Sequence, residues 1–197
     1  MMYSISYEEI KVGRDLRMQA EELGACNKGL YEWKTETSYA ELVQKMFKYF
    51  DFCVEHDWPD TGFIKRNFPP DVLKANGVYV DELRAKGRDM RNVAVMGDSI
   101  VKLAYHDFGF GDVRVRHTSS VEVLAESLAI VQLHLYDSAK AKIEADEGAK
   151  VTVYLHGEEC RCACSGDVSV RELWKEGGDR PVKDGGAWLE GGKEEER

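Results

Sequence analysis

The sequence predicts an α+β fold with three parts: a helical N-terminal module (residues 1–77), a short β-solenoid (78–172) and a flexible tail rich in glycine and charge (173–197). Three observations support this prediction. Helix-capping signals precede apolar stripes at helical spacing in the first part. A unit of about ten residues with alternating apolar positions recurs in the second part. Three Gly-Gly pairs stand among charged residues in the last part, which is typical of a flexible chain.

The helical module opens with a capping signal, because Ser6 stands three residues before Glu9. The segment SYAELVQKMFKYFDFCVEHD (38–57) repeats this signal with Ser38 and Glu41. Its apolar residues recur at helical spacing, so we predict one continuous helix over this segment. Short helices are predicted after it in WPDTGFIKRNF and PPDVLKANG.

Short strands with alternating apolar residues replace the helical pattern from Gly77 onward. GVYVDE and NVAVMGD are the first two, and a strand-and-corner unit then recurs. The inward positions step by ten residues: Val121, Val123 and Ala125, then Val131, Leu133 and Leu135, then Ala141, Ile143 and Ala145, then Val151, Val153 and Leu155. Small residues recur at the corners: Ser119, Ala129, Ala139 and Ala149. A fixed short period indicates stacked supersecondary units.

An antiparallel β-meander is the alternative to the solenoid, since both architectures repeat one strand and one turn. We favour the solenoid because the connections are four or five residues long and lack the Asn-Gly or Asp-Gly pairs of two-residue hairpins. A coil with two sides would also place Glu122 beside Lys142 on the outer face. The exposed strands at the last coil would need a cover, and Trp174 in RELWKEGGDRPV is the expected one.

Composition narrows the classes of protein to which the chain could belong. The formal net charge is −9 and the pI is near 5.1, which argues against a nucleic-acid-binding protein. The chain has no run of 18 apolar residues, so no membrane-spanning helix is expected. MMYSISYEEIKVGRD does not resemble a secretory signal. Five cysteines without framework spacing favour reduced thiols in a cytoplasm.

Arginine pairs are the candidate binding residues. Arg114 and Arg116 in VRVRH are predicted to point outward from one strand, which makes them the best local anion patch of the repeats. Arg14 and Arg17 lie three residues apart on the first helix and could hold an anion or an acidic partner. An ordinary solvated charged face is the competing interpretation of both pairs. Trp188 in the tail is a candidate docking residue, or a side chain that folds back on the body.

We predict no enzymatic activity, because the candidate catalytic and cofactor motifs are incomplete. The five histidines lack the spacings of metal-binding motifs. GFG at 109–111 lacks the third glycine of a phosphate-binding loop and is interpreted as a bulge or corner. GDS at 97–99 lacks the downstream D-x-x-H of an esterase. Asp98 and Ser99 are therefore interpreted as a corner before the first repeat.

Cysteine alternates with other residues at Cys160, Cys162 and Cys164, so the three thiols are predicted to point the same way from one strand. They follow the inward residues of the preceding unit by nine positions, which predicts that they fill the three inward positions of the next unit. Cysteine suits that role as a small apolar residue. A metal site, which would need a fourth ligand from elsewhere, is the second interpretation, and a disulfide or redox pair is the third. We expect no cofactor.

In the order of its segments, the chain resembles a group of uncharacterised proteins from gut Bacteroidetes, related bacteria and their phages and prophages. The resemblance rests on FDFCVEHDWPDTGFIKRNF, LKANGVYVDE, NVAVMGDS and the repeats SSVEVLAES, DSAKAKIEA and GAKVTVYLHG. It covers most of residues 7–171. It implies a repeat fold and a mobile-element origin, and it supplies no catalytic motif.

These patterns predict a non-enzymatic binding or structural protein, encoded by a phage or mobile element, that uses a rigid β-repeat as its scaffold. The expected partner is another protein or a second copy of the chain. The alternative is a phage host-interaction or anti-defence factor that binds a host protein or a small anionic ligand. A hydrolase is the third and least favoured possibility. The expected location is the cytoplasm of the bacterial host, with the virion as the alternative.

Overall fold

The computed structural model describes residues 5–33, 37–146, 148–175 and 189–190. The chain divides into two compact units, Met1–Asn76 and Gly77–Arg197. Among the residues described, no helix combines the length and the apolar character that crossing a lipid bilayer requires.

The first unit contains six helices in its described part: α1 (Tyr7–Glu22), α2 (Asn27–Glu32), α3 (Tyr39–Lys48), α4 (Phe50–Glu55), α5 (Thr61–Asn67) and α6 (Pro70–Ala75). The capping boxes predicted at Ser6 and Ser38 are both present. The single helix predicted over 38–57 is instead two helices, because Tyr49, with φ −111° and ψ 34°, leaves the helical conformation between α3 and α4. The core of this unit includes the fully buried side chains of Leu16, Leu42, Val43 and Ile64.

The second unit is a β-solenoid built from two six-stranded sheets. Sheet A contains β1 (Val78–Val80), β3 (Asn92–Met96), β5 (Phe110–Val115), β7 (Ile130–Leu135), β9 (Lys150–Leu155) and β11 (Val168–Glu172). Sheet B contains β2 (Leu83–Arg88), β4 (Ile100–Tyr105), β6 (Ser120–Ala125), β8 (Lys140–Ala145), β10 (Arg161–Gly166) and β12 (Leu189–Glu190). Consecutive strands from β1 to β11 alternate between the sheets, so each coil has two sides.

Parallel pairing between coils confirms the solenoid and excludes the antiparallel meander. Every neighbouring pair from β1 to β11 is parallel, and only β12 lies antiparallel, against β10. The usual register step is twenty residues, which places Glu122 beside Lys142 as predicted. Trp174 packs against the solenoid core, also as predicted.

Close stacking explains why the corners carry small residues. Neighbouring strands of a sheet are about 4.8 Å apart, so equivalent corners of successive coils lie almost in contact. The predicted corner residues Ser119, Ala129, Ala139 and Ala149 are all fully buried. The predicted inward residues from Val121 to Leu155 form one continuous hydrophobic core with the three corner alanines.

Strand β2 was not predicted, because its sequence lacks the apolar alternation of the other strands. Its inward positions are held by Ala85 and Gly87, which stand in register with Val101 and Leu103. The register also shifts between Leu83 and Ala85. Small inward side chains therefore hide a strand from any method based on hydrophobic periodicity.

The two glycines of GFG have different structural roles. Gly109 is a corner residue, as predicted, whereas Gly111 lies inside β5 at an inward position in register with Val131. A Cβ atom on Gly111 would lie 2.5 Å from Cζ of Tyr105. The buried ring of Tyr105 therefore fills the space that a side chain at residue 111 would need, and its hydroxyl donates to the Met90 carbonyl (3.1 Å).

Replacing Ser119 by alanine is expected to lower the free energy of unfolding by about 1–3 kcal/mol, because the change removes the acceptor of the Ser99 N–H at a buried corner, while the Gly97 carbonyl still accepts from Thr118. The Ser119 hydroxyl is fully buried, accepts from the Ser99 backbone N–H (3.1 Å) and donates to the Gly97 carbonyl (3.0 Å). Urea unfolding would measure the loss. Ser120→Ala, on the half-buried outer face of β6, is the matched control. Equal stability of the two variants would contradict the expectation.

Candidate functional site

Stacked polar and aromatic side chains run along the outer face of sheet A. Arg114, His134, Tyr154 and Arg171 occupy successive strands β5, β7, β9 and β11 in register. We call these four residues the Arg/aromatic ladder. The His134 and Tyr154 rings are stacked, with centroids 4.6 Å apart and planes 15° apart. The Arg171 guanidinium carbon lies 5.9 Å from the Tyr154 ring centroid, within the range of a cation–π contact.

A second column stands one position beyond the strand ends, at Arg116, Tyr136 and His156. The Tyr136 and His156 rings are stacked, with centroids 4.1 Å apart and planes 18° apart. His134 Nδ1 lies 3.0 Å from His156 Nε2, which links this column to the ladder. Such a contact needs a proton on one of the two nitrogens and a lone pair on the other. The two columns therefore hold each other in a defined geometry.

Hydrogen-bonding side chains at Asp112, Gln132 and Thr152 form a parallel row on the same face, in register on β5, β7 and β9. Asp112 Oδ2 accepts from Arg114 Nη2 at 2.6 Å, and both side chains are largely covered. Burial raises the pKa of the Asp112 carboxyl, although the positive charge of Arg114 opposes that shift. The face thus presents acceptors beside the donors of the ladder.

Arg116 does not point outward beside Arg114, and this prediction was wrong. β5 ends at Val115, so Arg116 belongs to the following corner, where its side chain is only 4% exposed. Its Nε lies 3.6 Å from Asp137 Oδ2 in an ion pair. The predicted two-arginine patch is replaced by a surface in which Arg114 is joined by His134 and the rest of the ladder.

The remaining predicted binding residues are not brought together by the structure. Arg14 is exposed on α1. Arg17 is half-buried, and its Nη1 lies 3.5 Å from the Trp33 carbonyl. Trp188 lies outside the described residues. These side chains therefore add nothing to the surface of sheet A.

The cysteines lie two residues away from their predicted positions, because Cys162 rather than Cys160 holds the first inward position of the strand. β10 places Cys162 beside Ala141 and Cys164 beside Ile143. Cys160 precedes the strand and is a corner residue rather than the first inward residue. The physical reason is a corner one residue longer than in the preceding coils, because Ala141 and Cys162 are twenty-one residues apart while the partners in β4/β6 and β6/β8 are twenty apart.

The buried thiols fill space in the last coil. Cys160 and Cys162 belong to the hydrophobic core, and Cys164 packs against it. The Cys160 thiol donates to the Leu135 carbonyl (3.2 Å), and burial raises its pKa. A hydrogen bond with Cys164, together with burial, raises the pKa of Cys162. No group of three His, Cys, Asp or Glu side chains among the described residues converges as a metal site would require.

A thiol reagent such as DTNB is expected to modify Cys26 first in the native protein, because Cys26 is exposed. Cys160 and Cys162 should react at least about a hundredfold more slowly, since both are fully buried and their protonated forms are favoured. A Cys26→Ser variant should lose the fast phase. Several fast thiols in that variant would contradict the burial of the last coil.

Ser99 lies at the corner that the sequence predicted, and its hydroxyl is engaged with the backbone. The side chain is almost fully buried. It donates to the Met96 carbonyl (2.7 Å) and accepts from the Glu82 N–H (3.0 Å). A serine nucleophile needs its hydroxyl directed at a base, so this arrangement gives the hydroxyl a structural role.

The outer face of sheet B has a different character. It carries a shallow groove of about 510 Å³, whose lining includes Lys86, Lys102, Glu122, Lys142 and Glu144. The groove pairs opposite charges: Lys102 with Glu122, and Lys142 with Glu144. These side chains are mostly exposed, and such pairs contribute little net attraction for a ligand. Substitutions of the groove residues can therefore serve as controls for substitutions on the outer face of sheet A.

No protein family, curated protein sequence or solved structure matches the chain.

Proposed function

We propose that this chain is a non-enzymatic binding protein that uses its β-solenoid as a scaffold and the outer face of sheet A as a recognition surface. The observation that carries the proposal is the Arg/aromatic ladder, in which stacking and register hold the side chains in fixed positions. Side chains that are ordered before binding lose little entropy when a partner arrives. The proposal includes a phage or mobile-element origin, which the sequence resemblance supports, and a role in a bacterial cytoplasm, which the free cysteines support.

The length of the ladder favours binding over catalysis. Enzyme sites gain much of their effect from a concave pocket that excludes water. The ladder instead extends over four strands of one sheet face. Such a surface suits an extended partner, and its Arg114 and Arg171 favour carboxylate or phosphate groups. A phage factor that binds an anionic group of a host molecule is therefore the specific form of the proposal that this surface supports.

A binding panel tests this proposal. The panel would contain acidic and neutral oligosaccharides, acidic peptides and phosphorylated peptides, together with a bacterial lysate. Wild-type protein would be compared with Tyr154→Ala/Arg171→Ala on sheet A and with Lys102→Ala/Lys142→Ala on sheet B. Binding that is lost only in the sheet A variant supports the proposal. Equal binding by all three proteins, or no binding to any probe, overturns it.

Self-association is a second candidate function, favoured by the edge of sheet A. β11 pairs with β9 on one side, and no further strand of the described chain pairs with its other side. In sheet B the corresponding edge is paired with β12. An exposed edge presents backbone donors and acceptors to another chain.

Sedimentation at increasing concentration is expected to show wild-type protein forming larger species, whereas a Val168→Pro variant stays monomeric. The Asp167 carbonyl accepts from the Val151 N–H, and the Leu173 N–H donates to the Leu155 carbonyl, so the backbone groups of these two residues face β9. The N–H of Val168 therefore points to the open edge, and proline removes it. Circular dichroism would confirm that the variant is folded. A wild-type monomer at every concentration would contradict this candidate.

A further inference from the structure

We infer that the Arg/aromatic ladder binds a linear oligosaccharide that carries carboxylates, laid along the solenoid axis across β5, β7, β9 and β11. The inference rests on the proposed function and names its ligand class. Four properties of the surface support it: the positions of its charges, the mixture of donors and acceptors, the orientation of its rings, and the constant spacing between its strands.

Charge complementarity is the first argument for an acidic ligand. Arg114 stands at one end of the ladder and Arg171 at the other, with His134 and Tyr154 between them. A guanidinium group matches the shape of a carboxylate and donates two parallel hydrogen bonds to it. Both guanidiniums are already oriented, Arg114 by Asp112 and Arg171 by the Tyr154 ring. A chain of sugars with one carboxylate per unit could reach Arg171, which is exposed, while Arg114 is 19% exposed and contributes less because its charge is already balanced by Asp112.

Acceptors beside the ladder favour a ligand with hydroxyl groups over a plain polyanion. The row of Asp112, Gln132 and Thr152 runs parallel to the ladder on the same face. Gln132 and Thr152 can both accept and donate, whereas Asp112 serves to hold Arg114, because its Oδ2 accepts from that guanidinium and its Oδ1 is buried. Phosphate chains and polyglutamate side chains offer acceptors and no donors that could use this row. Sugar hydroxyls both donate and accept.

Ring orientation also distinguishes between ligands. His134 covers one face of the Tyr154 ring, and Arg171 lies over that ring as well. The polar edges of the rings therefore meet the solvent, while their faces are used within the ladder. A ligand that binds by stacking a flat apolar face, as a neutral glucan does, finds no ring face here. Hydrogen bonds and charge must supply the affinity.

Spacing supports a periodic ligand. Neighbouring strands place equivalent side chains about 4.8 Å apart along the solenoid axis, close to the length of one sugar unit in a linear chain. The ladder contains four such positions. Affinity is therefore expected to rise with chain length and to level off when the ligand spans all four.

Titration calorimetry with oligogalacturonates of one to six units tests the inference. Affinity for wild type should rise up to about four units, and neutral glucose oligomers of equal length should bind at least about tenfold more weakly. Arg171→Ala and Tyr154→Phe should each weaken binding of the tetramer by about tenfold. Tyr154→Phe keeps the stacked ring and removes only the hydroxyl, so its fold should be intact. Lys102→Ala on sheet B should bind like wild type.

Other results would overturn the inference in distinguishable ways. If polyglutamate of equal charge binds as tightly and with the same variant pattern, the ligand is a plain polyanion and only the proposed function survives. If the monomer binds as tightly as the tetramer, the ligand is a small anion and the extended site is wrong. If no probe in the wider panel shows binding that depends on Tyr154 and Arg171, the proposed function fails together with the inference.

Discussion

Replacing Gly111 by valine is expected to destabilise the solenoid by about 3 kcal/mol or more, although valine occupies the equivalent positions 131 and 151 of later coils. The cause is the ring of Tyr105. A Cβ atom on residue 111 would lie 2.5–2.8 Å from two ring atoms and the hydroxyl oxygen of Tyr105. The ring is only 1% exposed and its hydroxyl is bonded to the backbone, so it cannot move aside without cost.

Tyr105→Ala, the reciprocal change, is expected to cost about 3–5 kcal/mol, because it leaves a large cavity in the core. The double variant Tyr105→Ala/Gly111→Val should be more stable than either single variant. It recreates the pair found one coil later, where Ala125 and Val131 occupy the equivalent positions. The expected coupling is at least about 2 kcal/mol in favour of the pair.

Urea unfolding of the four proteins measures this cycle. Phe110→Val is the control for the single change in β5, because Phe110 lies on the exposed outer face next to Gly111. The control should shift the midpoint only slightly. Losses that simply add in the double variant would show that residues 105 and 111 do not share one space, and would contradict the packing of the first coils.

Most of the solenoid could be predicted because burial on one side of each strand leaves a period of two in the sequence, and stacking leaves small residues at the corners. Between Val121 and Leu155 both patterns hold without interruption, and the prediction there is confirmed. The register of Glu122 with Lys142 followed from assuming a coil with two sides. The geometry of regular repeats is thus accessible from sequence.

Irregular coils could not be predicted, because each irregularity removes one of these two patterns. Gly111 carries no hydrophobic signal, so the first inward position of β5 was hidden and Arg116 was placed on the strand rather than on the corner. The longer corner before Cys160 shifted the cysteines in the same way. In both cases the predicted inward positions are shifted along the chain by two residues. Two residues is the separation between neighbouring side chains on one face of a strand.

Only part of the Arg/aromatic ladder could be predicted from the sequence. A step of twenty residues connects Arg114, His134 and Tyr154, so a coil with two sides places these three residues in register. Arg171 follows Tyr154 by only seventeen residues, because the last coil is shorter. No periodic argument could have added it. Sites that include an irregular coil need the structure, even when the regular coils do not.

Leu133→Ala is expected to lower the free energy of unfolding of the solenoid unit by about 2–5 kcal/mol. Leu133 is fully buried and stands in register between Val113 and Val153. The truncation therefore weakens contacts with the coils on both sides. Leu124→Ala is the matched control, since Leu124 lies half-buried on the outer face of β6 and should lose about 1 kcal/mol or less.

The position of a core truncation along the solenoid determines which strands lose protection from amide hydrogen exchange. In a repeat fold each coil contacts only its neighbours, so a defect at the end can be relieved by opening the last coil alone. Val170 is buried in β11, which pairs only with β9 among the described strands. Val170→Ala should therefore accelerate amide hydrogen exchange in β11 and leave β5 protected.

Leu133→Ala lies in a central coil that cannot open by itself, so exchange should accelerate in β5 and β9 together. Acceleration confined to β7 in that variant would show that the coils are not coupled through their shared core.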